Sequence, residues 1–373
     1  MKIGIIGAGQ LGRMLALAGY PLGLRFTFVD QSREAPGAQV GQIITGAFDD
    51  PAVLSRLADD VDVITFDVEN VPVEAVRPIA ERKPFLPPVA ALESAQDRLS
   101  EKTLFRTLGI PTPAFVPVAD RAGLEAGIAE LGLPAVLKTR RLGYDGRGQA
   151  FLRRPEDLDH AWQRFGKYPL ILESFVRFER EVSLIGVRGV GGELRCYPLS
   201  ENVHEEGILR YSRAPLVDQR LQAAAETHIG RLMDHLDYAG VLTVEFFVEN
   251  GRLLANEMAP RVHNSGHWTI EGAVTSQFEN HIRAILDLPL GETAMRGCAG
   301  MVNFLGDLPA LPDVLKIPGA HMHSYGKTPR PRRKLGHCTI VADDAATRDA
   351  GLERILDLAR RGAPASEGDR GTM

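Results

Sequence analysis

The sequence predicts an α/β domain at the start of the chain, followed by an α+β region built mainly from antiparallel strands. Two observations support this fold class. Early in the chain, short β-branched runs alternate with helical stretches, which is the rhythm of a parallel sheet. Beyond a proline-rich seam, hairpin signals recur at Gly146, Gly191-Gly192 and Asn250-Gly251. The 373 residues suffice for two or three domains at about 100–200 residues each.

Hydrophobic periodicity and turn residues place the elements in order. The N-terminal part is predicted to contain a strand over 2–6, a helix over 11–20 and strands over 25–30 and 61–66. After Pro84, Pro87 and Pro88, helical patterns cover 94–108, 155–165 and 219–236. The last region is predicted to hold strands near 300–304 and 336–341 and a helix over 345–359.

Composition excludes several classes of protein. Lys and Arg number 43 against 48 Asp and Glu, and the net charge of −5 offers no general attraction for nucleic acid or anionic lipid. No apolar stretch approaches the roughly 18 residues of a membrane span, and the chain opens without a signal-peptide pattern. Three scattered cysteines predict neither disulfides nor a cysteine zinc site. We expect a cytoplasmic protein that binds neither nucleic acid nor membranes.

A glycine-rich turn, Gly7-Ala8-Gly9-Gln10-Leu11-Gly12, joins the first predicted strand and helix, and Asp30 ends the next strand. Glycines at this spacing let the backbone approach a pyrophosphate at a helix N-terminus, while an acidic residue binds the ribose. A dinucleotide site is therefore one interpretation. The alternative is a tight turn that faces another small ligand, and the nucleotide-binding features further along the chain favour that alternative.

The middle of the chain contains two features typical of a site for ATP. Lys138 ends a strand and precedes a second glycine-rich turn over 143–149, whose N–H groups and cation can cover a triphosphate. The turn lacks the P-loop pattern, and a plain hairpin is the alternative. The apolar strand over 170–176 carries Glu173 and is followed by Glu181. Its backbone could bind adenine while Glu181 binds the ribose. Alternatively, it could be a core strand with a charged end.

Two glutamates, Glu245 and Glu257, flank Asn250-Gly251 on consecutive strands. A three-residue loop with a glycine bulge would set them opposite each other. The same register gathers apolar side chains on the other face: Val244, Phe246, Val248, Leu254 and Met258. Facing carboxylates repel, and a divalent cation relieves the repulsion; oxygen ligands beside phosphates indicate Mg²⁺. Two solvated surface acids are the alternative.

The loop Arg261-Val262-His263-Asn264-Ser265-Gly266-His267-Trp268 follows directly and combines a cation with imidazoles, a set suited to a small anion. His263 and His267 are four residues apart, but there is no His-Glu-x-x-His pattern and Gly266 disfavours a helix. We therefore do not expect zinc. A basic run over 330–334, with Lys327 before it, could be a solvated surface, a nucleic-acid patch or a phosphate site.

Three features together resemble those of the ATP-grasp superfamily: Lys138 with its glycine-rich loop, the strand over 170–176 with its glutamates, and the paired Glu245 and Glu257. Within it, the strings G-Y-D-G-R-G-Q and N-E-M-A-P-R-V-H-N-S-G-H-W-T resemble the 5-(carboxyamino)imidazole ribonucleotide synthases, as do G-x-G-Q-L-G-R-M and R-P-x-R-K-x-G-H near the two ends. Biotin carboxylase-like relatives have an asparagine where this chain has Ala259, which leaves Asn264 or water as the third metal ligand.

The resemblance implies a fold and a reaction. The fold is a Rossmann-like substrate-binding domain (1–93), an ATP-grasp domain (94–290), a small β-rich C-terminal domain (291–362) and a disordered tail (363–373). The reaction is the ATP- and bicarbonate-dependent carboxylation of 5-aminoimidazole ribonucleotide through carboxyphosphate, in de novo purine biosynthesis. ATP and Mg²⁺ are the implied cofactors, with Mn²⁺ as an alternative metal. A homodimer is implied, whose product passes to the mutase of the same pathway.

The resemblance also implies residue roles. Catalysis is assigned to Arg261, His263, Asp145, Tyr144 and Arg147, with Asp145 as the proton acceptor. The metal ligands are Glu245 and Glu257. Substrate contacts are assigned to Gly9, Gln10, Glu69, Lys327, Arg333 and Lys334. ATP contacts are assigned to Arg98, Lys138, Gly143, Tyr144, Asp145, Gly146, Arg147, Gly148, Gln149, Glu173, Ser174, Phe175, Val176, Glu181, His204, Asn256 and Glu257.

Three rival functions stay open at this point. A dehydrogenase would use the N-terminal glycines and Asp30 to bind NAD without a metal. A non-catalytic regulator would bind ATP and keep the paired glutamates but would not turn over. A formate-dependent glycinamide ribonucleotide transformylase would share the ATP-grasp features and differ in its substrates.

Overall fold

The computed structural model describes residues 1–143 and 146–361, and three sheets organise this part of the chain. The strands are β1 (Lys2–Ile6), β2 (Arg25–Asp30), β3 (Gln42–Thr45), β4 (Val63–Phe66), β5 (Phe115–Val118), β6 (Ala135–Thr139), β7 (Gln149–Leu152), β8 (Leu170–Ser174), β9 (Arg180–Arg188), β10 (Leu194–Cys196), β11 (Ser200–Glu205), β12 (Ile208–Ala214), β13 (Gly240–Glu249), β14 (Arg252–Ala259), β15 (Cys298–Leu305), β16 (Ala320–Ser324) and β17 (Lys334–Ala342). The helices are α1 (Gln10–Gly19), α2 (Pro51–Asp60), α3 (Val73–Ala80), α4 (Val89–Ala95), α5 (Arg98–Thr107), α6 (Arg121–Leu131), α7 (Asp157–Phe165), α8 (Gln219–His235), α9 (Thr269–Gly272), α10 (Gln277–Ile285), α11 (Leu311–Leu315) and α12 (Ala345–Arg361).

The N-terminal sheet is parallel, in the order β3-β2-β1-β4, as the alternation of strands and helices predicts. Strands β1, β2 and β4 are buried on both faces, whereas the edge strand β3 is largely exposed, and Ile3, Ile5 and Phe28 are fully enclosed. The carboxyl ends of β1, β2 and β4 therefore meet at one edge of the sheet. This edge carries the glycine-rich turn, Asp30 and Asp67.

Two antiparallel sheets form the rest of the described fold. The smaller has the order β5-β8-β6-β7. The larger has nine strands in the order β14-β13-β9-β11-β12-β15-β17-β16, with β10 paired to β9. Strand β12 pairs with β15, so the C-terminal strands extend the central sheet instead of forming a sheet of their own. The cleft between the smaller sheet and the larger one holds the candidate site.

The helix predicted over 94–108 is confirmed as α5, but it begins only at Arg98, and residues 94 and 95 belong to the preceding helix α4. The break lies at Asp97, whose carboxylate accepts a hydrogen bond from the Leu99 N–H at 3.0 Å and caps α5. The same carboxylate binds the Arg140 guanidinium at 2.8 Å and the Arg141 guanidinium at 3.2 Å. Tertiary partners therefore favour a cap at this acid over a continued helix.

Among the helices within residues 1–143 and 146–361, none is long and apolar enough to cross a membrane.

Candidate active site

The candidate site centres on a cavity of about 600 Å³ between the two antiparallel sheets, which we call the cleft. Most of the described residues predicted to contact ATP line it, from Lys138 on β6 to Glu257 on β14. Gly143, Arg147 and Gly148 are the described exceptions, while Tyr144 and Asp145 lie outside the described residues. The structure therefore brings together side chains that are more than a hundred residues apart in sequence.

Glu245 and Glu257 are directly paired across β13 and β14, as predicted. The predicted loop is wrong, however. Glu249 pairs with Arg252, so the turn has two residues, and Asn250 and Gly251 adopt positive φ angles of 50° and 66°. The bulge lies further along, where Phe246 pairs with Ala255 and leaves an extra residue, Asn256, on β14.

The displaced bulge also changes which leucine is buried. The predicted core residue Leu254 is only half-buried, and Leu253 packs in the core beside Val244, Phe246 and Val248. The register of the two glutamates is correct because the bulge lies between them and the turn. A strict two-residue hairpin without this bulge would have set Glu257 opposite Val244.

The acidic pair has the electrostatics of a cation site. Burial raises the pKa of Glu245 to about 7, and the charge of His204 only partly offsets this rise. Arg98 Nη1 lies 3.7 Å from Glu257 Oε2. Among the described residues there is no cluster of three or more His, Cys, Asp or Glu side chains at metal-binding distance. Two carboxylates fit Mg²⁺ only if phosphate oxygens or water complete its shell.

Lys138 points into the cleft from the smaller sheet, and its Nζ lies 2.8 Å from Glu173 Oε2. Burial alone would raise the pKa of Glu173, but the neighbouring charges of Lys102 and Lys138 lower it to about 2. The Glu173 carboxylate therefore binds a lysine, and Glu173 lines the cavity together with the three residues that follow it, Ser174, Phe175 and Val176.

Glu181 and His204 form a second charged pair in the cleft, with Glu181 Oε1 3.2 Å from His204 Nδ1. Burial would lower the pKa of His204, but the hydrogen bond to Glu181 and the charge of Glu245 raise it to about 9. A protonated His204 therefore adds a cation beside the two paired glutamates at neutral pH.

A second cavity of about 330 Å³, which we call the inner cavity, adjoins the cleft and shares Glu257, His263 and Lys334 with it. Arg261 Nη2 lies here, 3.1 Å from Glu69 Oε1. Burial and the charge of Arg261 hold the pKa of His263 well below its usual value. His263 Nδ1 accepts from the Ser265 N–H at 3.3 Å, so a neutral ring carries its proton on Nε2.

The third cavity, of about 430 Å³, is lined by Gln10, Arg147 and the basic run over 330–334; we call it the basic cavity. Lys327 lines it as well and donates a hydrogen bond to Gln10 Oε1. Burial and the charge of Arg333 lower the pKa of Lys327 to about 8. Lys334 lines all three cavities, which therefore meet at this residue.

Asp67, which directly follows β4 and lines the inner cavity, is a site residue that sequence reasoning missed. Its Oδ2 accepts the Gly12 N–H at 2.9 Å, and Asp30 Oδ2 accepts the Ala8 N–H at 3.0 Å. A Cβ on Gly7 would lie 1.8 Å from Asp67 Oδ1. The turn is thus glycine-rich to admit the chain's own carboxylate, and this anion occupies donors that a dinucleotide pyrophosphate would need. The structure therefore disfavours the dinucleotide interpretation.

Three family models match the chain. They describe a ribonucleotide synthetase preATP-grasp domain over residues 1–96, an ATP-grasp domain over 103–278 and a phosphoribosylaminoimidazole carboxylase C-terminal domain over 299–350. These matches confirm the predicted fold class: an ATP-grasp fold with a domain on each side.

Curated relatives and solved structures agree with these models. N5-carboxyaminoimidazole ribonucleotide synthase from Pseudomonas aeruginosa is 51% identical, over 96% of this chain and 99% of its own. The crystal structure of the synthetase from Thermus thermophilus is 55% identical with a TM-score of 0.92, over 95% of this chain and 98% of its own. A structure from Aspergillus clavatus in complex with ADP and 5-aminoimidazole ribonucleotide is 31% identical with a TM-score of 0.89, over 96% and 98%. The chain therefore belongs to the N5-carboxyaminoimidazole ribonucleotide synthase family of ATP-grasp enzymes.

Proposed function

We propose that the three cavities divide the substrates of one reaction, the carboxylation of 5-aminoimidazole ribonucleotide. The predicted reaction follows from the family: the protein is an ATP-dependent ligase of purine biosynthesis. In our proposal the cleft binds ATP, the inner cavity binds bicarbonate and the aminoimidazole, and the basic cavity binds the ribonucleotide phosphate. The observation that carries this division is that the cavities meet at Lys334.

Glu245 and Glu257 would hold Mg²⁺ against the phosphates of ATP. The ion would supply charge neutralisation on the transferred phosphoryl group. Lys138 and Arg98 face the same space and add positive charge that the protein has already fixed in place. Preorganised charges of this kind stabilise a transition state without reorganising during the reaction.

Arg261 and His263 would hold bicarbonate and then carboxyphosphate in the inner cavity. Arg261 brings a permanent charge, and neutral His263 brings an Nε2–H donor directed at the space beside Glu245, whose Oε1 lies 3.6 Å away. The ribonucleotide amine would attack the activated carboxyl group there. Tyr144 and Asp145, assigned to catalysis by resemblance, lie outside the described residues, so their roles remain predictions.

The direct test is ADP release with two substrate pairs. We expect ADP with 5-aminoimidazole ribonucleotide and bicarbonate, and none above background with glycinamide ribonucleotide and formate. Release with the second pair alone would show that the protein is a transformylase. Tight NAD binding without ADP release would support the dehydrogenase, and ATP binding without turnover on either pair would support the regulator.

The basic cavity makes a prediction about pH. The protonated Lys327 ammonium binds phosphate, and its pKa of about 8 means that the free enzyme loses this charge as the pH rises through 8. We expect kcat/KM for the ribonucleotide to fall above about pH 8. In Lys327→Arg the fall should move to higher pH, because a guanidinium does not deprotonate in this range. An unchanged alkaline limb in Lys327→Arg would contradict the assignment.

Three other expectations concern the enzyme in its pathway and remain part of the proposal. The product is a carbamate on an exocyclic amine, a labile group, which supports prompt transfer to the mutase. A homodimer and a cytoplasmic location are expected from the resemblance. Sedimentation of the purified protein would test the dimer directly.

A further inference from the structure

Two consecutive charged residues of α5, Glu101 and Lys102, are buried to 2% and 1% exposure. Charged side chains are almost never buried so fully unless other groups pair with them. Neither residue has a role in the mechanism above. Glu101 binds the backbone of β14 and lines the inner cavity, whereas Lys102 reaches Glu173 of the smaller sheet.

Glu101 and Lys102 bind the bulged part of β14 on the side of the strand that faces away from β13. Glu101 Oε1 accepts the Met258 N–H at 2.6 Å, and Lys102 Nζ donates to the Ala255 carbonyl at 3.2 Å. These two backbone groups bracket the bulged residue and Glu257. Because β14 ends the nine-stranded sheet, none of the strands in the described part of the chain supplies hydrogen bonds on this side. The α5 side chains fix the backbone that carries the metal-binding carboxylate.

Lys102 also reaches the other wall of the cleft. Its Nζ lies 3.6 Å from Glu173 Oε2, the same oxygen that binds Lys138 Nζ at 2.8 Å. Burial lowers the pKa of Lys102, and the charge of Glu173 opposes this shift. Because Lys102 and Lys138 share one oxygen of Glu173, Lys102 helps to position the carboxylate that binds Lys138.

We propose that Glu101 and Lys102 are positioning residues. Together they fix Glu257, a ligand of the metal in our proposal, relative to Lys138, which faces the phosphates of ATP. Glu101 acts on the metal side through the backbone of β14. Lys102 acts on the ATP side through Glu173. This assignment rests on the proposed function of the cleft and adds two residues to it, of which Glu101 also lines the inner cavity.

The metal side is tested with Glu101→Gln and Glu101→Leu. The glutamine keeps an oxygen that accepts the Met258 N–H, whereas leucine removes it. We expect Glu101→Leu to raise the Mg²⁺ concentration for half-maximal velocity about tenfold, the usual scale for one lost hydrogen bond. Glu101→Gln should stay within about twofold of wild type. Equal defects in the two variants would overturn the metal-side role.

The ATP side is tested with Lys102→Met and a matched control, Thr112→Val. Thr112 Oγ1 also donates to the Ala255 carbonyl, at 2.8 Å, so each change removes one donor from the same oxygen. Of these two residues, only Lys102 also contacts Glu173. We expect Lys102→Met to raise the KM for ATP about tenfold and Thr112→Val to leave it within about twofold. Equal effects would show that Lys102 only supports the strand and would overturn the proposal.

The two proposals can fail separately. Wild-type enzyme without bicarbonate-dependent ADP release would refute the proposed function of the cleft. Active wild-type enzyme whose Lys102→Met variant keeps its KM for ATP would refute only the positioning role. If Glu101→Leu does not fold, as judged by circular dichroism, the Lys102→Met and Thr112→Val pair still decides.

Discussion

Glu257→Gln is expected to lower kcat by at least about a thousandfold at saturating Mg²⁺. The amide keeps the size of the side chain but cannot balance a divalent cation, which supplies several kcal/mol of transition-state stabilisation in such sites. The fold should survive, since the Glu257 side chain is 46% exposed and the hairpin is held by its backbone ladder. Steady-state ADP release across a Mg²⁺ titration is the measurement.

A control for this variant lies on the same hairpin. Glu249→Gln changes a carboxylate that lines none of the three cavities and that accepts the Arg177 N–H at 3.2 Å, a bond an amide oxygen can also accept. It should keep wild-type turnover. If Glu257→Gln stayed within a few-fold of wild type, the metal assignment to Glu245 and Glu257 would be wrong.

Arg261→Ala should lower kcat by roughly a hundred- to a thousandfold, corresponding to about 2.7–4 kcal/mol for one contact to a developing charge. The guanidinium lies in the inner cavity, where our proposal places carboxyphosphate. Losing it also leaves Glu69 without its 3.1 Å partner. Bicarbonate-dependent ATP cleavage, measured without the ribonucleotide, would locate the defect in the first chemical step.

Arg333→Ala is the comparison that separates the two substrates. Arg333 lines only the basic cavity, where our proposal places the ribonucleotide phosphate, and a contact to this non-reacting group contributes mainly uniform binding. We expect a raised KM for the ribonucleotide with kcat nearly unchanged. If Arg333→Ala lost turnover while Arg261→Ala only raised a KM, our placement of the substrates would be reversed.

Local sequence signals were sufficient for the parts of the fold and site that depend on neighbours in the chain. The parallel N-terminal sheet, the hairpins and the facing of Glu245 and Glu257 were all predicted. The position of the bulge was not, because it depends on packing at the outer side of β14. The helix break at Asp97 was missed because the arginines that favour this cap lie on another segment.

The residues that sequence reasoning missed act across long separations. Asp67 binds the Gly12 N–H from 55 residues away, and Glu101 binds the Met258 N–H from 157 residues away. Neither contact leaves a periodicity or spacing in the sequence. One signal was available for Asp67: an acidic residue at the carboxyl end of a strand adjacent to a glycine-rich turn. Lys102 offered no signal, since a lysine on a helix is usually exposed.

The pairing of β12 with β15 bears on how the C-terminal strands can be exchanged or lost. A chain ending near residue 290 would leave the Tyr211–Ala214 segment of β12 as an uncovered strand edge, a template for aggregation. It would also lose Lys334, the residue common to all three cavities. The C-terminal region from β15 onward is therefore poorly suited to exchange between related proteins. Recombination within this fold should succeed only where the crossover keeps β12 and β15 from the same parent.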